Sequence, residues 1–96
     1  MLVLPAELTH RQASDALRML LQALKAQREP QVVVDAGALA TFDTSALAVL
    51  LECRRAALAR GLTLALDRLP AGLHSMAQLY GVLPLLVAPT ATNEPA

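Results

Sequence analysis

Aromatic side chains are nearly missing from this sequence: Phe42 and Tyr80 are the only two, and there is no tryptophan. That excludes a surface on which successive bases stack against rings, as single-strand nucleic-acid binders need. An excess of charge is missing too. Eight basic residues balance eight acidic ones, so there is neither the basic footprint of a nucleic-acid binder nor a polybasic contact for anionic lipid. The single cysteine, Cys53, leaves no internal disulfide. It reads as a small apolar helix residue in a reducing compartment.

Chemistry-bearing patterns are equally scarce. Gly37, Gly61, Gly72 and Gly81 stand too far apart to form a phosphate-cradling loop. His10, His74 and Cys53 lack metal-ligand spacing, and Ser14, Ser45 and Ser75 lie outside any nucleophile elbow. The carboxylates Asp35, Asp43, Glu52 and Asp67 suggest no acid and base pair. No catalytic residue, cofactor or metal is expected. The longest uncharged stretch runs from Leu69 to Asn93, but its prolines, glycines and polar residues argue against a membrane span. No secretory leader pattern opens the sequence, so a cytoplasmic location is expected.

What is present is aliphatic. Hydrophobic residues make up 55% of the 96 positions, enough for one domain with a modest core. Leu2–Leu4 reads as a short edge strand stopped by Pro5. Thr9 and Gln12 fit a capping box that opens a helix. Ala13, Ala16, Leu17, Leu20, Leu21 and Leu24 then recur on one helical face, to about Gln27. Val32-Val33-Val34 lies within a strand over 31–36, and its lack of alternation suggests burial on both faces. Residues 37–42 read as a turn. A second helix runs from Asp43-Thr44 to Arg60, with Gly61 as its left-handed stop. A strand over 62–67 follows, then a helix from Pro70 to Tyr80 ended by Gly81, then a last strand at Leu85–Val87. The order is β-α-β-α-β-α-β. An α/β fold with a mostly parallel sheet of about four strands and three or more helices is expected. The domain should span residues 1–88, with 89–96 a loose tail.

One cluster concentrates polar groups at a helix start. Asp43 can cap the second helix by accepting the N–H of Ser45 or Ala46. Thr44 and Ser45 then lie in the first turn, at the positive end of the helix dipole. Leu47, Leu50, Leu51, Ala57 and Leu58 can reach a core. Ser45, Ala48, Glu52, Arg55 and Ala59 form a second stripe of small and charged residues. By itself the cluster reads as a helix cap and a solvated face.

The succession Val32-Val33-Val34-Asp35, Asp43-Thr44-Ser45-Ala46-Leu47 and Gly61-Leu62-Thr63-Leu64 resembles the STAS domain of anti-sigma factor antagonists. Within that family the opening Leu2–Thr9, the Asp43-Thr44 pair and Met76–Val82 are most similar to the MlaB branch. These are cytoplasmic STAS subunits of phospholipid ABC transporters that maintain outer-membrane lipid asymmetry. The resemblance implies a non-catalytic subunit, peripheral to the inner membrane, that binds the ABC ATPase and supports assembly and activity. It implies a docking surface made of Phe42, Asp43, Thr44, Ser45, Ala48, Glu52 and Arg55, centred on Thr44. An anti-sigma factor antagonist, phosphorylated at Thr44 or Ser45, is the alternative it carries. Direct membrane insertion and nucleic-acid binding are not expected. The family's first strand is missing before Leu2–Leu4, so that segment is expected to pair with a second copy, giving a homodimer, or to stay frayed.

Overall fold

The computed structural model describes residues 2–87. Strand β1 (Leu2–Val3) is followed by β2 (Glu7–Leu8), helix α1 (Ala13–Lys25), β3 (Gln31–Asp35) and β4 (Thr41–Phe42). Helix α2 (Thr44–Ala59), strand β5 (Thr63–Asp67), helix α3 (Ala71–Leu79) and helix α4 (Leu83–Val87) complete it. All strand pairing is parallel. One sheet has the order β1-β3-β5, and β2 pairs with β4 in a second, smaller one. Leu2 and Val3 lie opposite Val34 and Asp35, while Glu7 and Leu8 lie opposite Thr41 and Phe42. The chain segments 2–8 and 34–42 thus run side by side. Pro5 breaks one and the loop 36–40, two residues longer, bulges from the other.

The larger sheet has unlike faces, because successive side chains point to opposite sides. Val32, Val34 and Leu64, with Leu4 just beyond β1, are buried beneath the helices. They join Ala16, Leu20 and Leu24 of α1 and Ala46, Leu47, Val49, Leu50, Cys53 and Ala57 of α2 in one core. Burying each leucine contributes about 1.5–3 kcal/mol. On the opposite face Val3 is exposed, and Val33 and Ala65 are only half-buried. The valine run therefore does not mark a strand covered on both sides. β-branched residues also suit a pleated surface covered on one side only.

Three further expectations need correction. Leu85–Val87 is part of a helix, not a strand. Pro84 fits a first helical turn, and Leu86 is driven into the core as α4 packs on α2 and β5. The turn over 37–42 contains β4, since the partner for two residues of strand cannot be seen locally. Regular helix α1 begins at Ala13, four residues after Thr9. The capping box does form, but around a preceding turn. The Gln12 side chain accepts the Thr9 N–H at 2.9 Å, and the Thr9 hydroxyl accepts the Arg11 N–H at 3.2 Å.

Leu2–Val3 is not frayed, and it forms one edge of the larger sheet. It pairs with β3, and the Leu4 N–H donates to the Asp35 carbonyl at 2.9 Å. The expected tail over 89–96 lies outside the described residues.

Candidate functional site

Helix α2 starts where the sequence places it. The Asp43 carboxylate accepts the Ser45 N–H at 2.8 Å through Oδ1, filling the cap position. Its second oxygen accepts the His10 N–H at 3.1 Å and lies 3.3 Å from the His10 ring Nδ1. Asp43 thus ties the start of α2 to the turn before α1. These contacts, the His10 N–H first and the Ser45 N–H after it, hold its carboxyl below the usual carboxylate range. Both oxygens are occupied inside the molecule, so Asp43 positions its neighbours.

Thr44 is exposed beside it, and from there a groove of about 300 Å³ opens along α2. Thr44, Leu47, Ala48 and Leu51 form one wall, one helical turn apart. Tyr80 and Val82 form the other. The second wall depends on one backbone angle. Gly81 adopts φ 73°, a left-handed conformation that costs glycine little. The Gly81 N–H then donates to the Gln78 carbonyl, and the Val82 N–H to the Ala77 carbonyl at 3.0 Å. This double closure ends α3 and leaves Tyr80 and Val82 on either side of the turn, both bordering the groove. Leu79, 81% exposed, and Tyr80, 59% exposed, extend the apolar surface past it.

No lining residue carries a charge. Further along α2 the Arg55 guanidinium pairs with the Glu52 carboxylate, with Nε 3.0 Å from Oε1. Among the described residues, no group of His, Cys, Asp and Glu is arranged to hold a metal ion. The groove can take up an apolar side chain. A charged group would lose its water there without finding a counter-charge.

The structure distributes the expected surface unevenly. Thr44 and Ala48 line the groove, and Ser45 is half-buried and outside the lining. Glu52 and Arg55 are exposed further along α2, outside the lining. The Phe42 ring lies instead against Gly72 of α3, where a Cβ would approach to 3.2 Å. Leu47 and Leu51 were expected only as core, yet Leu51 is half-buried in the groove wall and Leu58 is 47% exposed. Tyr80 and Val82 had no expected role at a site. The signal for Tyr80 was present, since it is one of only two aromatics and follows an apolar helix.

The family model described as Mlab, STAS domain, matches residues 1–87. No curated protein matches the chain. The match takes in both sheets, all four helices and the groove beside Thr44, and the chain belongs to the MlaB-type STAS domain family.

Proposed function

We propose that this chain is a non-catalytic accessory subunit that binds the ABC ATPase of a phospholipid transporter and supports its assembly and activity. The transport served is the one that maintains outer-membrane lipid asymmetry. The observation that carries the reading is the uncharged groove opening beside Thr44 in a domain of the MlaB-type family. Thr44, Ser45 and Ala48 form the centre of the contact, Tyr80 and Leu51 supply its apolar depth, and Glu52 and Arg55 form its polar rim. An aromatic at the edge of a desolvated pocket is the usual anchor of such an interface. Among the described residues no helix is long and apolar enough to cross a membrane. On this reading, attachment to the cytoplasmic side of the inner membrane comes through the partner.

The anti-sigma antagonist reading needs a phosphoryl group on Thr44 or Ser45. At Thr44 it would place nearly two negative charges beside the Asp43 carboxylate and at the mouth of an uncharged groove. That arrangement favours Thr44 as a contact residue.

Calorimetric titration of the purified chain with the ABC ATPase subunit of a phospholipid transporter from the same organism tests the reading. Wild type should bind, and Thr44→Arg should bind at least about tenfold more weakly, because a long charged side chain is stranded at the contact. Equal binding by Thr44→Arg removes the groove from the interface. No binding by wild type removes the transporter reading.

A further inference from the structure

At the far end of β3, away from the groove lining, Asp35 is 8% exposed. Its Oδ1 accepts the Gly37 N–H at 2.8 Å and the Arg68 Nε–H at 3.0 Å. Its Oδ2 accepts Arg68 Nη2–H at 2.5 Å. The pair is two-pronged, the geometry in which an arginine fixes direction as well as distance. Both groups respond to it. The Arg68 guanidinium holds the Asp35 carboxyl below the usual carboxylate range, and Asp35 raises the pKa of Arg68.

Arg68 makes this contact from an unfavourable backbone. Its φ is 56°, and it is the one non-glycine residue with positive φ among the described residues. A side chain at that angle crowds its own carbonyl, so the conformation persists where surroundings hold it. Here the hold is the guanidinium folded back over Gly37. A Cβ on Gly37 would come within 2.5 Å of Arg68 Cζ.

The clamp sits at the start of the loop that leads to the recognition surface. Ala36 N–H donates to the Asp67 carbonyl at 2.8 Å, and Leu39, buried, donates to Ala36. The loop's far end is fixed by Ala40 and Thr41, whose N–H groups both donate to the Ala6 carbonyl. β4, the Asp43 cap and Thr44 follow at once. Five loop residues between two fixed ends leave little slack, so a change in the entry angle at Gly37 is passed on to β4 and the first turn of α2, which the β2 pairing and the His10–Asp43 contact hold from the other side.

We infer that the Asp35–Arg68 clamp is a positioning device for the docking surface: it fixes the 36–40 loop and thereby places Thr44, without touching the partner. This rests on the reading of Thr44 as a contact residue for its functional meaning, but the structural coupling can be tested without the partner. Arg68→Gly is the informative variant. Glycine tolerates the left-handed backbone, so the substitution removes the guanidinium while relieving the strain.

Amide hydrogen exchange should become about tenfold faster at Gly37, Ala40, Thr41 and Ser45 in Arg68→Gly, as one charge-assisted pair is lost. Val32–Val34 and Leu64 should keep their protection, and the amide resonances of Thr44 and Ser45 should shift. Asp35→Asn, which keeps an acceptor for Gly37, should show the same pattern more weakly. Unchanged exchange at Ala40, Thr41 and Ser45 in both variants would overturn the inference. So would an equal loss of protection across all three strands of the larger sheet, which would make the pair a general support. Titration with the ATPase separates the two readings. If Thr44→Arg lowers affinity and Arg68→Gly does not, the docking surface stands and the clamp's role in it falls.

Discussion

Helices α1 and α2 pack against each other, yet they treat their outer sides differently. In α1 the buried residues Ala16, Leu20 and Leu24 are spaced by four, and Ser14, Asp15, Arg18, Gln22 and Lys25 face water. Met19 is its one exposed large apolar side chain. In α2 the first half has no charge at all. Thr44 to Leu51 is apolar or hydroxyl-bearing on every side, and Ala48 and Leu51 are left on the surface. A helix apolar all round is normally enclosed. Both helices border a groove, but the one on α1, around Met19, is edged by the charged Arg11 and Asp15, whereas the one on α2 has no charge in its lining. The partners differ as well. α1 packs chiefly on α2, while α2 also meets β5, α3 and α4.

Matched substitutions on the two helices measure that difference. The largest effects should come from the core. Leu50→Ala and Leu24→Ala, both fully buried, should each lose about 2–5 kcal/mol in urea unfolding, with Leu50→Ala the costlier because more elements close around it. Equal costs would mean that α1 is held as firmly as α2. In native-state hydrogen exchange α1 should open before α2 for the same reason.

Cys53 provides the next contrast, because it lies on the buried side of α2. Burial pushes its thiol up to about 11, so an aromatic disulfide reagent at pH 8 should react slowly with folded protein and quickly in denaturant. Fast labelling of the native state would show that the core around α2 opens.

A smaller effect should appear with pH. Unfolded aspartates titrate near 3.8, and Asp35 and Asp43 titrate lower in the folded protein. The folded state then binds fewer protons. Stability from these groups is full above about pH 5 and is lost as pH falls through 3.8 to the folded values. Asp43→Asn should flatten that acid limb. The smallest effects on stability belong to the outer side of α2. Ala48→Arg and Glu52→Gln should each change it by no more than about 0.5 kcal/mol. Ala48→Arg should nonetheless weaken ATPase binding as Thr44→Arg does, whereas Met19→Lys on α1 should not.

Much of the fold was legible because local rules and tertiary packing agreed. The Asp43 cap, the stop at Gly61 and the parallel pairing of strands 31–35 and 63–67 follow from cap chemistry, left-handed glycine and β-α alternation. Leu85–Val87 reads as a strand because three aliphatic residues carry no period, whereas Pro84 and the burial of Leu86 in the core make it helical. β2 and β4 escaped notice because neither forms without the other. At the site, Thr44 and Ala48 were legible from helical spacing, and Tyr80 stood out as an aromatic, but nothing local placed Tyr80 and Val82 opposite Thr44, more than 30 positions away.

The sequence by itself therefore determined an α/β chain with a capped second helix whose exposed start carries hydroxyls and small residues, because capping and periodicity act over a few neighbours. Only the tertiary structure decided that this start is one wall of a groove closed by Tyr80, and that a strained arginine at position 68 grips Asp35. Those contacts join residues about 33 positions apart, and such distances are settled by how the whole core packs, which no local pattern encodes.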